Sequence, residues 1–189
     1  MSAVAGPLAG PRPRIWEERH LLAMALFIAS ESIFFLAVIA AYLVYRSEGL
    51  ALARQQLELG RTALFSLLLF GSSLTMTIAV RRRDRRWIAL TALLGAVFLA
   101  GQGSEYLRLL ASGIRPGVTL FGTTFFTLTG LHGLHVLVGL ALLAGLFVAA
   151  AVRPARVGAV AWEAIALYWH FVDAVWVVVF GLVYLGTFA

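Results

Sequence analysis

The chain has 189 residues, 61% of them apolar and 13% charged, with a mean hydropathy of +0.92, a balance that excludes an ordinary soluble domain and makes lipid the solvent for most of it. It contains no cysteine, which excludes disulfides, iron–sulfur clusters, thiolate metal sites and thiol catalysis. Its formal charge of +6 rests on fifteen arginines and no lysine; these lie between apolar stretches, so they read as determinants of membrane orientation and not as a nucleic-acid footprint.

In the opening stretch MSAVAGPLAGPRPRI, Pro7, Pro11 and Pro13 prevent a regular helix. Residues 1–19 are therefore expected to form a flexible cytoplasmic arm, not a signal peptide. A spanning helix needs roughly 20 mainly apolar residues, and five such stretches follow, at about 20–45, 62–80, 87–110, 119–152 and 161–186. The fold expected is all-α, a polytopic bundle of five transmembrane helices within one domain, 20–189. The fourth stretch is longer than a bilayer requires and should tilt or project beyond it.

Between the spans lie a loop with Arg46, Glu48, Arg54, Glu58 and Arg61, the run RRRDRR at 81–86, the turn SGIRPG at 112–117, and RPARVG at 153–158. Pro and Gly stand where helices should stop. The arm and the 81–86 and 153–158 loops hold ten arginines against five on the other side, which predicts a cytoplasmic amino terminus. Five crossings then put the carboxyl terminus outside. Trp16, Trp87, Trp162 and Tyr184 fall near the predicted helix ends, where amphipathic rings favour the headgroup region. No internal repeat of the kind found in many secondary transporters is visible.

The informative residues are the polar ones inside the spans: Glu31 in the first, Glu105 in the third, His132 and His135 in the fourth, and Glu163, His170 and Asp173 in the fifth. Each demands a partner or a cavity. An ionised Glu31 facing lipid would cost several kcal/mol, so it should be paired or neutral, either as a structural hydrogen bond between helices or as a proton-handling or lipid-contacting group. His132 and His135 stand three apart on one helix face, in TGLHGLH, where Gly130 and Gly133 suggest close approach to a neighbouring helix. Two such histidines could contribute to a metal or haem site only with further ligands. Glu163, His170 and Asp173 share roughly one stripe, expected to point inward, beside a stripe of Trp162, Trp169 and Trp176 that reads as packing. No nucleophile elbow, phosphate loop, zinc-protease or dinucleotide motif is present, so catalysis by this chain alone is not expected.

Four segments, LFIASESIFFLAVIAAYLVYR at 26–46, GSEYLRLL at 103–110, GTTFFTLTGLHGLHVLVG at 122–139 and WEAIALYWHFVDAVW at 162–176, resemble subunit III of the haem-copper terminal oxidases, the cytochrome c and ubiquinol oxidase group. In particular the chain is similar to the short bacterial form, with five spans, that lacks the first two of seven helices. The resemblance implies an accessory subunit of the bacterial inner membrane with no metal or haem of its own. Such a subunit packs on subunit I, assembles with subunit II and other subunits that carry haem and copper, and binds phospholipid in a cleft. It also implies support of proton uptake and protection of the catalytic subunit from inactivation during turnover, as well as a proposed path for oxygen. Glu31 matches the family's buried acidic position in its FIxSE motif, and Glu105, His132, His135, Glu163, His170 and Asp173 match its other polar positions. Glu163 ahead of YWHFVD is closer to the cytochrome c branch than to the quinol branch. Two other readings are open: a small proton-coupled transporter using the same buried carboxylates, and a haem b anchor subunit using His132, His135 or His170 as axial ligands.

Overall fold

The structure is a computed structural model that describes residues 15–46, 54–55 and 57–188. Among these residues there are five helices long and apolar enough to cross a membrane, and no strand. Helix α1 covers Ile15–Tyr45, α2 Leu59–Arg82, α3 Arg85–Ala111, α4 Leu120–Val152 and α5 Ala159–Phe180. A π-helical turn at Gly181–Leu185 and a last helical turn at Gly186–Phe188 continue α5.

The expected arm lies outside the described residues except for its last five, which already belong to α1. Ile15 lies past Pro13, the last proline of the arm, so nothing prevents the helix from starting there. The remaining boundaries fall within a few residues of those expected, for local reasons. Asp84 caps α3 by accepting from the Arg86 amide at 2.9 Å, and Thr119 caps α4 by accepting from Gly122 at 2.9 Å. Gly113 and Gly117 take the left-handed conformation, with φ of 89° and 80°, that turns the chain between α3 and α4. At 33 residues, α4 is about 50 Å long, well over the roughly 30 Å of a hydrocarbon core.

Helices α2, α3, α4 and α5 form a closed ring in which each packs on two neighbours, and α1 lies outside it in the groove between α4 and α5. The ring closes around Trp169, which is fully buried. A Cβ on Gly95 of α3 would stand 2.6 Å from its indole, and one on Gly139 of α4 would stand 2.9 Å away. Only glycine lets both backbones grip the ring, which is the small-residue packing that replaces the hydrophobic drive inside lipid. Gly101 makes the same close approach to Phe65. The close contact expected at Gly130 and Gly133 does not occur. Added Cβ atoms there would meet Tyr106 Oη at 3.5 Å and Leu99 Cδ1 at 3.7 Å, ordinary van der Waals distances, because the aromatic rings that pack on this stretch of α4 meet His132 and His135 and not the glycines.

Trp162, Trp169 and Trp176 all face the interior, so the tryptophan stripe, read from its spacing as packing beside the expected inward stripe of Glu163, His170 and Asp173, is itself the inward one. Trp162 and Tyr184 are buried and not placed at an interface as expected, because the helix ends that carry them still pack on neighbours; the π turn helps by directing Val183 and Tyr184 inward. Trp87 is partly exposed under the Arg82 guanidinium, 6.0 Å from its ring, and the side chain of Trp16 lies outside what is described.

Because Trp169 is wedged between two backbones, Gly95→Val should lower the apparent melting temperature in detergent by about 3–10 °C, from an overpacking cost of about 1–3 kcal/mol. Gly133→Ala should leave it nearly unchanged. The reverse ranking would show that the close approach lies elsewhere.

Candidate polar site within the membrane domain

The polar residues singled out above do not converge on one centre. They form separate clusters, each joining different helices, and among the described residues no group of three or more His, Asp and Glu side chains is arranged to hold a metal ion.

The first cluster attaches α1. Glu31 Oε2 lies 3.2 Å from His135 Nε2 of α4, with the two side chains 24% and 11% exposed. His135 Nδ1 is 2.9 Å from the Leu131 carbonyl, which can only accept, so Nδ1 carries a proton. One further proton is then shared between Nε2 and the carboxyl group. Either a neutral imidazole accepts from a protonated Glu31, or an imidazolium donates to a carboxylate, and the pair is neutral overall in both arrangements. Sharing one proton answers the demand that an acidic side chain at this depth be neutralised. Phe35 packs on the His135 ring at 5.0 Å, and the Tyr168 hydroxyl of α5 donates to the His135 carbonyl at 3.1 Å.

The second cluster joins α2 to α5. Ser73 Oγ–H donates to Asp173 Oδ2 at 2.5 Å, and the same oxygen is 2.8 Å from His170 Nδ1. A hydroxyl has one proton, so His170 Nδ1–H must donate to Ser73 and the three groups form a directed chain ending on Asp173. This is not the arrangement of a hydrolytic triad, in which histidine lies between serine and carboxylate. Asp173 is buried and His170 partly buried.

The third lies near the end of α3. Glu105 is buried and its Oε1 accepts from Arg108 at 2.5 Å, while the Glu58 amide approaches it at 3.4 Å. Arg108 also pairs with Glu58 at 3.6 Å. Glu105 is thus compensated by an arginine one turn away on its own helix.

His132 is buried with no hydrogen-bond partner for either nitrogen among the described residues. Its ring stacks on Trp176 at 4.8 Å and meets Phe98 edge-on at 5.9 Å, so it packs as an aromatic. The three intramembrane histidines therefore have three different surroundings. Two have a ring nitrogen held by hydrogen bonds within the chain, and the third has both faces of its environment filled by aromatic rings.

Glu163 departs from expectation: it is exposed near the start of α5 and joins none of these clusters. The inward stripe of α5 is the tryptophan stripe. The row containing Glu163 and His170 lies beside it, so only the Asp173 end, where α2 is in reach, turns into the bundle.

Sequence reasoning missed the hydroxyl groups that complete these contacts. Ser72 and Ser66 of α2 accept from the indoles of Trp169 and Trp176 at 2.9 and 2.8 Å. Thr129 and Tyr106 bond at 2.6 Å between α3 and α4, and Thr75 and Thr91 at 2.7 Å between α2 and α3. The visible signal was the unusual density of Ser and Thr in α2, since such side chains bridge helices in lipid at about 0.6 kcal/mol each.

In comparison with known proteins, residues 17–187 match the family described as cytochrome c oxidase subunit III. Cytochrome c oxidase subunit 3 of Synechocystis sp. is 39% identical over 181 residues, covering 88% of this chain and 75% of that protein. The protein of the same description from Thermostichus vulcanus is 36% identical over 180 residues, covering 89% and 88%. Cytochrome bo(3) ubiquinol oxidase subunit 3 of Pseudomonas aeruginosa is 32% identical over 170 residues, covering 85% and 81%.

Removing the hydroxyl that links His170 to Asp173 leaves both polar groups facing a methyl. Ser73→Ala should cost about 1–3 kcal/mol and lower the apparent melting temperature by about 2–10 °C. Ser73→Thr, which keeps the hydroxyl, should recover most of that loss; an equal loss in both variants would show that the hydrogen bonds contribute nothing.

Proposed function

The chain belongs to the cytochrome c oxidase subunit III family, and from that premise we propose that it packs directly on subunit I of its haem-copper oxidase, supports proton uptake there and prolongs the catalytic subunit's working life. Haem and copper belong to the partner subunits, including subunit II, and this chain contributes helices and bound phospholipid. The electron donor in this reading is cytochrome c, on the strength of Glu163 ahead of YWHFVD, with ubiquinol as the alternative. The complex sits in a bacterial inner membrane, with the amino terminus in the cytoplasm and the carboxyl terminus outside, as the distribution of arginines favours.

The observation that carries this reading is the Glu31–His135 pair. It is the polar attachment of the one helix outside the ring, it is incompletely covered, and its single shared proton can shift between the two groups without creating net charge in the membrane. Such a pair can exchange protons with a partner surface or a bound headgroup in a way that the buried Glu105 and His132 cannot. Glu31, His135 and their neighbours are thus assigned to proton handling and lipid contact, and Glu105, His132, His170 and Asp173 to holding the ring.

Two substitutions separate proton handling from simple attachment of α1. Glu31→Gln keeps a hydrogen-bonding group facing His135 but removes the carboxyl group that can share a proton with it, whereas Glu31→Leu removes both. In the purified oxidase, Glu31→Gln should shorten the turnover lifetime severalfold or reduce co-purifying phospholipid while the subunit stays attached. If Glu31→Gln behaves like the parent and only Glu31→Leu loses lifetime, the carboxyl group serves attachment alone and the proposed role is wrong.

A further inference from the structure

Where α2 begins and α3 and α5 finish, polar residues of three helices meet inside the bundle. Gln102 and Glu105 stand three apart on one face of α3, 8% and 2% exposed. Tyr184, fully buried on the π turn that continues α5, interacts with Glu105 and stands beside Gln102 and Thr62 of α2. Their hydrogen bonds do not close. Glu105 Oε1 accepts from Arg108, and the Tyr106 hydroxyl is bonded to Thr129 at 2.6 Å. Glu105 Oε2, Gln102 Oε1 and Tyr184 Oη are buried with no hydrogen-bond partner among the described residues. Two of the three can only accept, and the Tyr184 hydroxyl has a single proton. At least one acceptor therefore stays unmet whichever way that hydroxyl turns, a cost that native interiors rarely carry.

We infer that Gln102, Glu105 and Tyr184 form a binding site for a buried water molecule, which donates to Glu105 Oε2 and Gln102 Oε1 and accepts from the Tyr184 hydroxyl. Two protons to give and lone pairs to receive are what these three atoms lack between them, and they are what a water supplies. A metal cation would satisfy the two acceptors. The Arg108 guanidinium on the same carboxylate, however, already provides the one positive charge that Glu105 requires, so a second would be buried without compensation. An anion would meet acceptor lone pairs on two sides and is disfavoured more strongly still.

The backbone adds an independent observation. The regular winding of α5 gives way at Gly181–Leu185 to the π turn, which brings Tyr184 inward to this spot. Single π turns within helices gather at functional sites. Irregular backbone at membrane depth is tolerated where protein buries it or where it lines water. His132 is the contrast: its nitrogens are also without partners, but Phe98 and Trp176 pack on its ring. The water site depends neither on the oxidase reading nor on the role given to Glu31.

The test is X-ray hydroxyl-radical footprinting of the full chain, purified in mild detergent with its partner subunits. Radicals formed at a bound water oxidise the side chains beside it, whereas those of bulk water do not reach the interior. Tyr184 should be oxidised although it is fully buried, and Trp169, equally buried and of comparable reactivity, should stay unmodified. Gln102→Leu should lower Tyr184 labelling severalfold, with Trp169 still unmodified as the sign that the fold is kept. Tyr184→Phe then separates a wet site from a dry one by the direction of its effect. With water bound, the variant loses a hydrogen bond and the apparent melting temperature falls by about 1–6 °C. With none, it sheds an unpaired buried hydroxyl and the temperature holds or rises. An unlabelled Tyr184, a Trp169 labelled as strongly, or a Tyr184→Phe variant at least as stable as the parent would overturn the proposal. So would labelling or stability that follows the concentration of sodium, potassium or calcium, which would mark a cation site instead.

Discussion

Inside a bilayer no water is available to solvate an acidic side chain, so each buried carboxyl group must be answered by another helix or by its own, and the bundle is arranged around this requirement. Glu31 is answered by His135, Asp173 by Ser73 and His170, and Glu105 by Arg108. Two of these solutions connect elements far apart in the chain and thereby decide which helices are neighbours. The Ser73 chain helps close the ring of α2 to α5, and the Glu31 pair fixes where α1 lies against it.

Two modes of packing divide the molecule. Within the ring, the indole of Trp169 is gripped by glycines of two other helices, and hydroxyl groups of α2 accept from Trp169 and Trp176. This is close packing that tolerates little movement. Helix α1 instead meets α4 and α5 through one polar pair and a few aromatic contacts, with Phe35, Ile39 and Tyr42 buried and Leu22, Leu26, Ile33, Phe34, Leu36 and Val44 exposed. A rigid ring with an outer helix presenting an apolar face suits a subunit that works by association within a membrane complex. The proposed proton and lipid roles fall on the boundary between these two parts.

Much of this was legible in the sequence because it follows from length and charge alone. Five apolar stretches with arginine-rich separators sufficed for the number and extent of the helices, and four short segments for the family. The polar residues stood out because lipid makes them costly, but their partners did not, since Glu31 and His135 are 104 positions apart. Spacing on a single helix also misled where two stripes lie side by side: the tryptophans took the interior and Glu163 was left outside. Gly130 and Gly133 looked like the contact because they flank a histidine, whereas Gly95 and Gly139 hold it because a tryptophan on a third helix reaches them. Which glycine receives an aromatic ring depends on packing between helices and is not written in local spacing.

The central claim is that this chain works as an accessory subunit of a haem-copper oxidase, and the most direct test is affinity purification through a tag on it in mild detergent. The co-purifying subunits would be identified by mass spectrometry and the reduced-minus-oxidised visible spectrum recorded on the same preparation. The account predicts a large histidine-rich partner together with haem a- or o-type bands. A stable, colourless chain recovered alone would contradict it.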